Sequence, residues 1–276
     1  MNPFRFACLS ATLLCLFSAA AAFAQDESPP GFRSTVALPG KDVGWLPTEQ
    51  ALVELMLDMA KVTPRDTLVD LGSGDGRTVI TAAKRGARSL GVEYNPELVS
   101  LSQRNAAAEG VADRAAFIQA DLFATDFSRA TVVTLFLRGD LNLRLRPRIL
   151  AMEPGTRVVS NSFPMEEWIP DQIASIEEER CRNYCCTAYF WVVPARVAGT
   201  WTLAQGELTL DQSFQMISGT LGSGAESVPV TGRLLGREIR FSGGDAVYTG
   251  RVDGAAMQGA FVSHKSAGPW TAVRKR

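Results

Sequence analysis

The sequence predicts an α/β fold: a mostly parallel sheet that closes in an antiparallel hairpin, followed by a small antiparallel β-meander or barrel. Three observations carry that prediction. Between residues 46 and 196, short apolar runs alternate with helical patterns, as in a parallel sheet built from right-handed crossovers. A turn Gly72-x-Gly74-x-Gly76 separates the first apolar run from the helix after it. From 199 to 274 the period changes to two, and glycines break the runs at hairpin spacing. The chain divides accordingly into a leader (1–24), a Pro- and Gly-rich N-terminal loop (25–45), the α/β part (46–196) and the antiparallel β part (197–276).

The leader has Arg5, an uncharged apolar stretch over 6–24, and Ala22-Phe23-Ala24 before Gln25, which reads as a secretory signal peptide with an Ala-x-Ala cleavage site. An uncleaved anchor is the alternative, since about 18 apolar residues barely span a bilayer. Neither Cys8 nor Cys15 follows the small-residue pattern of a lipoprotein signal. Cleavage is the expectation, leaving no stable membrane anchor and a secreted or periplasmic protein. It removes Arg5, taking the formal charge of the 276-residue chain from −1 to −2. Near-neutral charge argues against nucleic acid as a partner, which normally demands a basic face. The remainder is long enough for one sizeable core or two smaller ones.

In the α/β part, Pro47-Thr48 opens a helix with Leu52, Leu55, Met56 and Met59 at helical spacing. A strand over 67–71, a helix over 77–86 and a strand over 89–93 follow. Asn95 caps a helix over 96–109, with Pro96 at its first position. Strands are expected over 115–119, 131–137 and 156–160, and an antiparallel pair over 174–181 and 187–194. In the β part, Gly219-Thr220-Leu221, Gly232-Arg233-Leu234 and Gly250-Arg251-Val252 look like weak copies of one hairpin unit. No residue set there carries chemistry, so its expected role is stability or a homo-oligomer contact, with substrate recognition as the alternative.

The glycine turn bears directly on function. Glycines at this spacing let the chain turn tightly at a strand end and approach a ligand closely. Seventeen residues after Gly76, the strand Ser89-Leu90-Gly91-Val92 ends in Glu93, where a carboxylate can accept from both hydroxyls of a ribose. A dinucleotide fingerprint would place its third glycine where Arg77 stands, and there is no Gly-Lys-Ser/Thr for a triphosphate. Asp70 and Asp75 put negative charge around the loop, repelling phosphate and suiting an ammonium or sulfonium. Asp121, ending the run Phe117-Ile118-Gln119-Ala120, can accept from an adenine amino group; the alternative is a structural acid opening a loop. The ligand expected is of adenosine type.

Asp70, Gly72, Gly74 and Gly76, then Glu93, then Asp121, resemble in order and spacing the motifs of class I S-adenosylmethionine-dependent methyltransferases, over about residues 45–168. Asp-Leu-Gly-Ser-Gly-Asp-Gly-Arg (70–77) resembles the protein-lysine branch and its small bacterial relatives. So do Leu46-Pro47-Thr48 and Leu141-Asn142-Leu143-Arg144-Leu145-Arg146-Pro147. The resemblance implies a Rossmann-like methyltransferase sheet over 46–196. It implies S-adenosyl-L-methionine as cofactor, held by Asp70, Gly72, Ser73, Gly74, Gly76, Glu93, Tyr94, Asp121 and Leu122. It also implies methyl transfer to a protein side-chain amine, hence a protein substrate. Methyltransferases of bases or glutamine often carry Asn/Asp-Pro-Pro-Tyr/Phe after the fourth strand, where this chain reads Leu135-Phe136-Leu137-Arg138-Gly139-Asp140.

Catalytic residues are not identified from sequence. Candidates for the acceptor pocket are Phe136, Asp140 and Asn142 after the fourth strand, and Asn161, Ser162 and Phe163 after the fifth, on position alone. Arg138, Arg144, Arg146 and Arg148 read as a solvated basic face, with docking to an acidic partner as the alternative. Cys181, Cys185 and Cys186 suggest one disulfide in an oxidising compartment, from Cys181 to Cys185 or Cys186. No metal site is expected, because a fourth ligand is missing and the only histidine is His264. Two rival functions stay open: an exported, non-catalytic nucleoside-binding or scaffold protein, and a small-molecule methyltransferase. Export also separates the protein from the cytoplasm, where S-adenosylmethionine is made. Either the cofactor reaches it, or the fold binds something else, or the start lies near Gln25 and the protein is cytoplasmic.

Overall fold

A computed structural model describes residues 45–182, 185–204, 206–222 and 227–275. The leader and most of the N-terminal loop lie outside the described residues. Helix α1 (Gln50–Met59) is followed by β1 (Thr67–Leu71), α2 (Arg77–Lys84), β2 (Arg88–Glu93), α3 (Pro96–Ala108), β3 (Ala115–Gln119), β4 (Val132–Leu135), α4 (Gly139–Leu150), β5 (Arg157–Asn161), β6 (Gln172–Ser175) and β7 (Thr187–Val192). These strands form one seven-stranded sheet in the order β3-β2-β1-β4-β5-β7-β6. The first five are parallel; β7 runs antiparallel to both β5 and β6. The carboxyl ends of β1, β2 and β3 therefore lie along one edge, with the topological switch between β1 and β4, where ligands bind in such sheets.

Local chemistry explains the boundaries. β1 and β4 are buried almost throughout, as central parallel strands with both faces covered must be. Asn95 caps α3 by accepting from Glu97 N at 2.9 Å, with Pro96 at the first position. Four elements differ from the sequence expectation, one of them β6, which ends at Ser175 and gives way to a 3-10 turn over Glu178–Arg180 where a strand over 174–181 was expected. Helix α1 begins at Gln50, after Pro47-Thr48, because Thr48 makes tertiary contacts: its carbonyl accepts from Arg77 Nη1 at 2.8 Å and its hydroxyl from Asn161 Nδ2 at 3.3 Å. β4 ends at Leu135, and residues 136–138 lead into α4, a helix unexpected because Pro147 lies inside it. Leu141, Leu145 and Ile149 nonetheless recur at helical spacing and are buried.

Of the four arginines read as a solvated face, Arg138 and Arg144 are exposed, whereas Arg146 and Arg148 are half-buried. Arg146 donates to Met165 O at 2.8 Å and pairs with Glu167, Arg148 donates to backbone carbonyls after β3, and Arg144 lies over the Phe123 ring. Cys181 and Cys186 form the disulfide, in the connection between β6 and β7, and Cys185 lies outside that pair.

The remaining strands are β8 (Gly199–Leu203), β9 (Gly206–Ser213), β10 (Met216–Gly222), β11 (Val228–Leu235), β12 (Glu238–Gly243), β13 (Ala246–Asp253), β14 (Ala256–Val262) and β15 (Ala267–Arg274). They close into an eight-stranded antiparallel barrel through the pairing of β15 with β8. Its interior is packed with Trp201, Phe241, Tyr248, Trp270 and aliphatic residues. The hairpin glycines mark where strands press together: a Cβ on Gly219 would lie 1.8 Å from Thr209 O, and one on Gly259 1.9 Å from Thr249 O.

The barrel abuts the amino end of β5. Ala195 N donates to Gly236 O at 2.8 Å, Arg237 pairs with Glu153 at 3.0 Å, and Gln215 Nε2 donates to Ile169 O at 2.6 Å. Phe214, between β9 and β10, stacks on buried Trp168 with ring centroids 6.2 Å apart. The barrel thus seats against the α/β core at the end opposite the glycine turn.

Candidate active site

The turn after β1 is built from three left-handed glycines, with φ of +85° at Gly72, +54° at Gly74 and +83° at Gly76. Only glycine adopts such a run without strain. Close packing adds a second requirement: a Cβ on Gly74 would fall 2.3 Å from the Trp45 indole nitrogen, and one on Gly76 2.7 Å from the Phe117 ring. Ser73 N and Gly72 N both donate to Val92 O, which ties the turn to the end of β2. From behind, the Ser102 hydroxyl lies 2.9 Å from Gly74 O and Asn105 Nδ2 3.0 Å from Asp75 O.

Glu93 is fixed at the carboxyl end of β2. One carboxylate oxygen accepts from Gly74 N at 3.0 Å and the other from Asn95 N at 2.9 Å. The acid is thereby joined to the glycine turn it was expected to serve, with Tyr94 exposed beside it. Asp121 stands exposed at the start of the turn after β3, one oxygen accepting from Phe123 N at 2.7 Å, with Leu122 half-buried next to it. The structural part of the Asp121 expectation is therefore present, and its exposure leaves the carboxylate accessible.

Asp70 is buried under the turn and accepts from the Thr134 hydroxyl at 2.7 Å. Burial pushes its pKa up to about 7; the Thr134 hydrogen bond opposes this, while the nearby Glu93 and Asp75 carboxylates add to it. Asp75 does not supply the open negative charge expected of it. The Arg77 guanidinium grips it through Nε and Nη2, at 2.6 Å for the closer pair, and so neutralises it. The same guanidinium reaches Thr48 O, holding the segment 45–48 across the glycine turn.

The acceptor candidates separate into groups. Asn142 is fully buried, its Nδ2 donating to Ser160 Oγ at 3.1 Å and Phe163 O at 2.9 Å. Asn161, also fully buried, donates to Thr48 Oγ1 and accepts from Ser162 Oγ at 2.8 Å. Ser162 holds a left-handed φ of +61°, the kind of local strain that recurs at functional sites. Phe136 is half-buried at the end of β4, whereas Asp140 is exposed and paired with Arg138 at 3.1 Å. Asn142 and Asn161 thus brace the strand ends, leaving Phe136 and Ser162 nearer the surface. Sequence reasoning missed Trp45, Arg77 and Thr134 as site residues. Thr134 alone left a signal, as the polar residue of Val132-Val133-Thr134-Leu135.

Comparison with known proteins places this geometry. Residues 70–172 match the family profile described as the ANTKMT methyltransferase domain, a match that ends before the barrel strands. The chain is 38% identical over 154 residues to a protein-lysine N-methyltransferase of Saccharolobus islandicus, covering 55% of this chain and 94% of that protein. It is 32% identical over 157 residues to the adenine nucleotide translocase lysine N-methyltransferase of Mus musculus, covering 56% of this chain and 67% of the relative. Among solved structures, an RNA methyltransferase from Salinibacter ruber in complex with S-adenosyl-L-homocysteine superposes with a TM-score of 0.51 at 44% identity, covering 55% of this chain and 96% of that one.

Proposed function

Because this chain belongs to the protein-lysine branch of the class I S-adenosylmethionine-dependent methyltransferases, we propose that it methylates a lysine side chain of a protein substrate. The observation that carries the reading is Glu93, whose carboxylate is clamped between Gly74 N and Asn95 N beside a left-handed glycine turn. The donor set fits the cofactor. A bare glycine cradle, one acid at the end of β2 and another after β3 suit an adenosine, and buried Asp70 suits a cationic tail. Glu93 would hold the ribose, with Tyr94 beside it, Asp121 and Leu122 the adenine, and Gly72, Ser73, Gly74 and Gly76 the amino-acid part above Asp70.

S-adenosylmethionine supplies a methyl group already activated on a sulfonium. What remains for the chain is to align the acceptor and exclude water, and such alignment is worth on the order of 7–11 kcal/mol. Thr48 and Asn161 join the segment 45–48 to the end of β5 across this site. A lysine ammonium, with a pKa near 10.4 in water, must first lose its proton. An apolar approach to the site would favour the neutral amine by disfavouring the charged form. The single histidine, His264, lies far along the chain in the barrel and takes no part.

The Salinibacter protein is described as an RNA methyltransferase. The protein-lysine reading is preferred because of the lysine-methyltransferase relatives, the near-neutral charge and the sequence after β4. We further propose export, supported by the Cys181–Cys186 disulfide, a bond that persists in oxidising compartments. For the barrel we propose stabilisation, because it seats at the amino end of β5, away from the glycine turn.

Calorimetric titration of the purified protein with S-adenosylmethionine and S-adenosylhomocysteine tests the cofactor site. Micromolar binding of both, lost in Glu93→Ala, is expected. No binding by a folded sample would leave an exported scaffold with methyltransferase ancestry.

A further inference from the structure

The turn that follows β3 is held from behind by α4, and the contacts are unusually complete. Within the turn, Ala124 N and Thr125 N both donate to Asp121 O at 3.0 Å, and Phe123 N donates to the Asp121 carboxylate. The outward carbonyls are then taken by one side chain: Arg148 lies 2.6 Å from Phe123 O, 2.5 Å from Thr125 O and 3.4 Å from Leu122 O. Its guanidinium also covers the Phe127 ring at 4.6 Å, and one helical turn earlier Arg144 covers the Phe123 ring at 3.8 Å. A planar guanidinium with five donors can span several carbonyls; a lysine ammonium presents a point charge instead.

We propose that Arg148, assisted by Arg144, is a positioning residue for the adenine end of the cofactor pocket, fixing Asp121 so that it selects a 6-amino purine over a 6-oxo purine. The proposal rests on the cofactor reading above. An adenine presents an N–H to the Asp121 carboxylate, whereas hypoxanthine presents a carbonyl oxygen, which the carboxylate repels. That discrimination depends on where the turn holds Asp121, because hydrogen bonds weaken steeply with misalignment. Arg148 touches no ligand and acts only through the turn.

The test is titration of the full chain with S-adenosylhomocysteine and S-inosylhomocysteine. The unsubstituted protein should prefer the adenine form by about tenfold or more, as expected for one hydrogen bond to a charged group. Arg148→Ala should shrink that preference severalfold, chiefly by weakening the adenine form, and Arg148→Lys should not restore it. Asp121→Ala should remove the preference, and adding Arg148→Ala to it should change the ratio no further. If Arg148→Ala weakens both ligands equally, or leaves the ratio intact, the proposal is overturned. Should Arg148→Ala fail to fold, exposed Arg144→Ala serves instead: a narrowed ratio supports the proposal and an unchanged one overturns it. Binding of neither ligand by the unsubstituted protein would instead overturn the cofactor reading.

Discussion

The Glu93 carboxylate accepts from Gly74 N on one oxygen and Asn95 N on the other, so its orientation is set before any ligand arrives. Charge-assisted hydrogen bonds are worth about 1.5–3 kcal/mol each. Losing two of them to a ribose predicts that Glu93→Ala weakens S-adenosylhomocysteine binding by at least about a hundredfold, read by calorimetry on a sample whose circular dichroism is unchanged. Asp70 predicts a pH dependence. Burial raises its pKa from 3.8 to about 7, so the neutral acid's contribution to stability is fully present below about 3.8 and is lost as pH rises through about 7. A cationic ligand favours the carboxylate and so expels the proton. Affinity for S-adenosylmethionine should therefore rise by up to about tenfold per pH unit between pH 6 and 7 and level off above. Proton release should appear as a buffer-dependent binding heat, and Asp70→Asn should abolish both effects.

At the scale of elements, the segment 45–48 is pinned at three points: Trp45 against Gly74, Thr48 O on Arg77, and the Thr48 hydroxyl on Asn161. In Gly74→Ala the new methyl would sit 2.3 Å from the Trp45 indole nitrogen at a φ of +54°, so the indole must leave. About a tenfold rise in cofactor KM is the expected consequence, together with a red-shifted tryptophan emission that is absent when Trp45→Phe is added. The parallel sheet was legible in the sequence because β1, β2 and β3 are apolar runs that each end in a turn or acid with its own chemistry. Helix α4 was not, since Pro147 and three arginines mask a buried stripe of Leu141, Leu145 and Ile149. Arg146 and Arg148 looked solvated because sequence shows charge and not the carbonyls that meet it. The Arg77 grip on Asp75 was hidden for a related reason: opposite charges two residues apart read as loop polarity until the backbone turns them together. Thr48, expected to open a helix, instead serves a contact 113 positions away, which no local pattern reports.

Across the whole molecule, the barrel and the α/β part share a seam. Phe214 stacks on Trp168 and lies under Arg146, while Gln215 is buried and donates to Ile169 O. Phe214 is half-buried, so Phe214→Ala should cost about 2 kcal/mol, somewhat less than a fully buried phenylalanine, and lower the melting temperature measured by calorimetry. Methyltransferase kcat/KM should stay within about twofold at 25 °C, because this seam lies at the sheet end opposite the glycine turn; an equal fall in activity would tie the barrel to the site after all. The β part was legible as a meander or small barrel without deciding between them, since strand periodicity does not say whether the last strand finds the first. The central claim concerns where the methyl group goes. Incubation with methyl-labelled S-adenosylmethionine and a mixed cell extract, followed by separation of protein, nucleic acid and small molecules and hydrolysis of the protein, tests it most directly. The account predicts label in methyllysine, lost with Glu93→Ala; label in nucleic acid or small molecules with none in lysine would contradict it.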